Sequence, residues 1–202
     1  MRRIALLCCC LLPLLAACKA SFILGNPPAE KPQCPSQTGQ SPQEVSPGVL
    51  LMAQSVPSAS WLPCLNALPV GFSYERLDAT DQGAHIWLNS GGGGGSHAVR
   101  VALSRACDLR GAHETPSDRN GMRRYERITD AGSGYRAEWF YVFRGGCVTY
   151  QFDLHGATGG AASAASLSMA ISFVSRATVA QLLHDYSGGR LNLDPTSPGG
   201  TG

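Results

Sequence analysis

Lysine is nearly missing from this chain. Lys19 and Lys31 are the only two, and arginine supplies the rest of the 16 basic residues among 202. Set against 14 acidic residues these leave a formal net charge of +2, and a chain this close to neutral offers no electrostatic case for binding nucleic acid. Catalytic signatures are missing as well. No G-x-S-x-G elbow occurs: the glycine positions around Ser133 hold Ala131 and Tyr135, and that segment reads as a hairpin turn. His113-Glu114 has no second histidine with which to complete an H-E-x-x-H helix, and no C-x-x-C spacing suggests a zinc knuckle or a redox dithiol. Nothing in the residues calls for a cofactor.

The amino terminus is richer. Arg2 and Arg3 precede an apolar run from Ile4 to Leu15 and then small residues, the three parts of an export signal. The run is too short for the roughly 20 apolar residues of a bilayer-spanning helix. By themselves these features also fit a plain secretory signal, or an uncleaved anchor continuing through Phe22-Ile23-Leu24. Leu15-Ala16-Ala17-Cys18 resembles the lipobox of bacterial lipoprotein signal peptides, a resemblance confined to this first segment. It implies cleavage before Cys18, a diacylglyceryl group on its thiol, and a protein held by lipid at the extracytoplasmic face of the cell membrane. Multiple acyl chains anchor stably where one chain, at about 0.8 kcal/mol per buried CH₂, binds marginally.

Removing 17 residues from 202 leaves 185, and losing Arg2 and Arg3 brings the basic residues from 16 to 14, equal to the acidic ones. Cys8, Cys9 and Cys10 fall within the signal. Beyond Cys18 remain Cys34, Cys64, Cys107 and Cys147, an even set in an exported chain, which suggests two disulfides out of three possible connectivities. We favour Cys107 with Cys147 and Cys34 with Cys64.

The expected organisation is a signal peptide over 1–17, a lipid anchor and Pro/Ser/Gln-rich tether over 18–47, one domain over 48–187 and an unstructured tail over 188–202. Val49 to Ala53 is too short an apolar run to assign by periodicity. Ser58 or Ser60 can cap a short helix over Trp61 to Leu68, with Trp61, Leu65 and Leu68 on one face. Strands follow at Phe72–Leu77, Ala84–Leu88 and His97–Ala106, the last with Val99, Val101 and Leu103 on one face. Gly91 to Gly95, with a strand after it instead of a helix, reads as a hairpin tip and not a phosphate loop.

Cross-strand charges predict that Arg123–Ile128 pairs with Tyr135–Phe143 so that Glu126 faces Arg136 and Arg124 faces Glu138. A Gly145-Gly146 turn would then pair Phe143 with Val148, Tyr141 with Tyr150 and Trp139 with Phe152, six residues forming a core wall. The opposite face, ending in Cys147, is where Cys107 could bond. Ala161 to His184 reads as one long helix, with Leu167, Ile171, Val174, Thr178 and Leu182 on a stripe. The fold class is α+β: an antiparallel sheet of five to six strands, a long C-terminal helix and a short N-terminal helix packed on it, and disulfide staples.

Two constellations carry possible chemistry. Arg123, Tyr125 and Arg127 share a strand face, and an arginine-aromatic strip can bind carboxylates, phosphates or sugars. Asp153 and His155, two apart on a strand, can bind metal or orient an imidazole, although a catalytic zinc wants three protein ligands; His85 or His97 would have to join them. The turn-rich loop Asp108–Met122 is the other expected binding region. The leading expectation is a non-enzymatic domain binding a small molecule or a partner protein. The alternative is a cell-envelope hydrolase or metal-dependent enzyme using Asp153 and His155.

Overall fold

A computed structural model describes residues 30–35, 45–91, 95–132, 134–155 and 160–194. The signal peptide, Cys18, most of the tether, the centre of the glycine run, Ser133 and the chain from 195 lie outside these residues.

The elements are α1 (Pro47–Ser55), β1 (Trp61–Leu65), β2 (Phe72–Thr80), β3 (Gly83–Ser90), β4 (Gly95–Ser104), β5 (His113–Thr115), β6 (Arg123–Asp130), β7 (Gly134–Phe143), β8 (Gly146–His155), α2 (Gly160–Ala170), β9 (Ile171–Ser175) and α3 (Arg176–Tyr186). Seven strands form one antiparallel sheet in the order β2-β3-β4-β8-β7-β6-β5, and β1 pairs with β9 in a separate ribbon. The α+β class with disulfide staples is thus observed, with more strands than expected.

Strand alternation sends Leu77, Ile86, Leu88, Val99, Val101, Leu103, Val148, Tyr150 and Phe152 to one face, here the inner face, where they share a single core with Val49, Met52 and Ala53 of α1 and Leu167 of α2. Burying each such side chain contributes about 1.5–3 kcal/mol. Pro47 sits in the first turn of α1, where its missing N–H leaves no helical bond unmade.

Two helix expectations are corrected. Trp61–Leu65 is a strand, antiparallel to β9, with Trp61 opposite Ser175 and Leu65 opposite Ile171. The short N-terminal helix of the fold is α1 instead. The long helix over Ala161–His184 is interrupted at Ile171–Ser175, where Ile171, Phe173 and Val174, strand-favouring residues, form β9. Ser175 then restarts the helix, its Oγ accepting from the Thr178 N–H at 2.9 Å. A run of apolar residues spaced three and four apart fits a helical stripe on paper; pairing with β1 overrides it.

Two registers are corrected also. In β6–β7, Glu126 lies opposite Trp139 and Arg124 opposite Tyr141, while Arg127 meets Glu138 directly and a bulge brings Asp130 to Arg136. This odd-numbered slip puts Arg124 and Glu126 on the inner face. Charge complementarity is worth only tenths of a kcal/mol and is recovered in the new register, which also stacks the Arg124 guanidinium 4.3 Å from the Trp139 ring. In β7–β8 the turn is Arg144-Gly145, so Phe143 pairs with Gly146, Tyr141 with Val148 and Trp139 with Tyr150. A slip of two preserves faces, and the six expected wall residues are all inner and at most 7% exposed.

Both favoured cysteine pairs are bonded, Cys34–Cys64 and Cys107–Cys147, with Cα separations of 4.8 and 5.8 Å. The folded part extends beyond the expected 48–187 at both ends. Cys34 N–H donates to the Leu65 carbonyl and Leu65 N–H to Pro32. Leu193 packs on the core, and the Asp194 carbonyl accepts from the Arg176 guanidinium. Among the described residues no helix is long and apolar enough to cross a membrane.

Candidate functional site

Helices and ribbon all lie on the inner side of the sheet, which makes the outer face the place to look. One end of it is covered. Cys107, bonded to Cys147, carries the loop 105–112 across the face, the Arg127 guanidinium donates to the Arg110 carbonyl, and Phe140 beneath is 2% exposed. The other end, built from β2, β3, β4 and the end of β8, has no such cover among the described residues.

Register places a row across the strands: Arg76, Trp87, Arg100, Gln151, Glu138, Arg127. Directly opposed side chains on one face interact, and they do so here. The Arg76 and Arg100 guanidinium carbons lie 4.9 and 5.5 Å from the Trp87 ring centroid. Trp87 Nε1 donates to Asp78 at 2.6 Å, which locks the indole. Glu138 accepts from Arg127 and, at 2.7 Å, from the Gln151 amide. Beside this row, Trp87, His97, Ala98, Arg100, Gln151, Phe152 and Asp153 line a shallow depression of about 260 Å³.

Two arginine–carboxylate–imidazole groups bracket it. His97 Nε2 lies 2.9 Å from both Glu75 Oε1 and the Arg76 guanidinium. Its backbone, at φ +61, is left-handed, and its N–H donates to the Asn89 side chain at 2.9 Å. On the other side Arg136 donates to Asp153 at 2.8 Å and stands 2.6 Å from His155 Nε2, whose Nδ1 is 3.2 Å from Asp153. Asp153 and His155 are therefore adjacent, as expected, and His97 shares the depression with Asp153. His85 is close by, its ring 6.3 Å from Trp87. Burial, and then the Arg100 charge, hold the His85 pKa below the usual imidazole value. Among the described residues no three His, Cys, Asp or Glu side chains are placed to hold a metal ion.

Arg123, Tyr125 and Arg127 are brought together as expected, but their charges are engaged. Arg123 stacks 5.2 Å from Tyr125 and donates to Glu114, and Arg127 stacks on Phe140 and pairs with Glu138. The loop 108–122 is more built than expected. It contains β5, and its Arg119 reaches the Ser168 and Ile171 carbonyls at 3.0 Å, at the carboxyl end of α2, where a cation complements the helix dipole.

Asp118 of that loop accepts from the Tyr141 hydroxyl at 3.0 Å. Burial pushes the Tyr141 pKa up to about 12, and that of the fully enclosed Tyr150 well above the tyrosine value. An unfolded chain ionises these phenols near pH 10 while the folded one keeps its protons, so the unfolded state binds fewer protons and stability falls as pH rises from 10 towards 12. Ultraviolet titration of the six tyrosines is expected to show Tyr141 and Tyr150 ionising last; phenolate appearing from all six at pH 10 without unfolding would contradict it.

The residue that sequence reasoning missed is Arg100. It stood in an alternating strand as one polar position among several, and its lack of a carboxylate is visible only once the registers are known. No family model, no curated protein and no solved structure matches this chain.

Proposed function

We propose that this is a lipid-anchored extracytoplasmic binding protein, attached through an acylated Cys18 and using the uncovered part of the outer sheet face, around Trp87, to hold a ligand. One observation carries the binding half: a sheet face with an indole clamped between two guanidinium groups, one of them, Arg100, free of any ion pair among the described residues. The two disulfides support the extracytoplasmic half, because such bonds persist in oxidising compartments.

Each half has its own test. Cys18→Ser is expected to abolish palmitate labelling and move the protein out of the membrane fraction; retention of both would defeat the anchor. Hydroxyl-radical footprinting of Trp87 is expected to show protection in isolated envelopes relative to purified protein, and equal reactivity would defeat the binding face.

A second reading, a cell-envelope hydrolase, draws on His97 and Asp153 sharing the depression and on His155 standing beside Asp153. Against it, no serine, threonine, cysteine or lysine among the described residues lines that depression to act as a nucleophile, and each imidazole is flanked by an arginine already paired with a carboxylate. Binding remains the better account of the geometry.

A further inference from the structure

Five arginines stand on the outer sheet face, and four answer a carboxylate. Arg76 pairs with Glu75 and Asp78, Arg123 with Glu114, Arg127 with Glu138 and Arg136 with Asp153. Arg100 makes no hydrogen bond or ion pair among the described residues, and its Nε is buried without an acceptor. The acids around it are spoken for: Asp78 by Arg76 and Trp87, Glu138 by Arg127 and Gln151, Asp153 by Arg136 and His155. A buried charged donor lacking an acceptor is among the less favourable features a fold can carry, and it sits on the floor of a depression open to solvent.

We propose that Arg100 is the receptor for a carboxylate of the ligand, an inference that rests on the binding reading above. A carboxylate meets guanidinium through two parallel hydrogen bonds, which the two terminal nitrogens of Arg100 can supply, since its Nε is shielded. The charge balance selects the ligand. One uncompensated cation matches one negative charge, whereas a phosphate monoester brings about −1.5 to −2 at neutral pH and would leave its excess facing the Asp153 carboxylate. The size selects it also. About 260 Å³ holds roughly nine waters at about 30 Å³ each, so the depression admits a short acid or one acidic group of a larger molecule, its carbon chain lying against Trp87 and Ala98.

The test uses the full chain in detergent, with sodium propionate as probe, inorganic phosphate as a second arm and sodium chloride at matched ionic strength as reference. Nuclear magnetic resonance follows the Arg100 Nε–H and the Trp87 indole N–H. Propionate is expected to shift both signals, saturating in the millimolar range, with at least tenfold weaker binding in Arg100→Met. Arg100→Lys, which keeps the charge without the planar fork, is expected to weaken binding severalfold while guarding against a folding defect, and Arg123→Gln is expected to bind as the parent does. A response to propionate no larger than that to chloride overturns the assignment, as does one that survives in Arg100→Met, or saturation by phosphate alone. If propionate fails while Trp87 is protected in envelopes, the carboxylate assignment falls and the binding face stands; if Trp87 is unprotected, the binding face itself falls.

Discussion

Replacing Cys107 and Cys147 together by serine is expected to lower the unfolding free energy by about 4 kcal/mol, the denatured-state entropy released when a closed loop of this size is opened. The bond spans 40 residues of sequence, and β5, β6 and β7 all lie within the closed loop. It also holds loop 105–112 against the outer face, where Cys107 Sγ rests 3.0 Å from Thr149 Oγ1. Replacing both partners leaves neither one as an unpaired thiol to confuse the result. In urea unfolding the midpoint should fall and the slope m rise, since an uncrosslinked chain exposes more surface when unfolded. An unchanged midpoint would mean that the bond does not constrain the chain.

Gly145→Ala is expected to cost about 3 kcal/mol, combining a left-handed backbone penalty of about 1–2 kcal/mol with the loss of hydrogen bonds worth about 1 kcal/mol each. Gly145 has φ +74, and a Cβ there would overlap the Ser58 carbonyl oxygen. The hairpin turn would have to lift from the 58–60 segment, breaking the bond from Ser58 Oγ to the Gly145 carbonyl, 2.7 Å, and that from Ser60 N–H to Arg144, 3.2 Å. Gly121→Ala separates the two contributions. Its φ is +73 but a Cβ there would meet nothing within 4 Å, so it should lose only about 1 kcal/mol. Equal losses in the two variants would show that the docking of the turn contributes nothing.

These two sites also mark what could be read before folding. The alternation of Val99, Val101 and Leu103 and the aromatic set from Trp139 to Phe152 disclosed the inner face, because burial follows a period that no slip of two can change. The Cys107–Cys147 bond followed from a face and a strand end, and Cys34–Cys64 from the pair that then remained. Registers were less accessible, since cross-strand charges separate alternatives by less than a single stacked ring does. The segments 61–65 and 171–175 were misread for a common reason: each is a short apolar run whose conformation is decided by the other, 106 to 114 residues away. The site depended on registers most of all. Arg100 differs from its four neighbours only in what stands opposite, and neither local propensity nor motif records that.

The Cys34–Cys64 bond has a mechanical consequence for a domain pulled from its amino end, as the proposed anchor would pull it. Tension arriving along the chain from its amino end meets Cys34, crosses the sulfur bridge at 34–64 and enters β1 beside its pairing with β9. The residues between, α1 included, are bypassed by the load path. A helix that would peel off turn by turn is thus relieved of the pull, and rupture requires β1 to be dragged along its whole length against the strand at Ile171–Ser175.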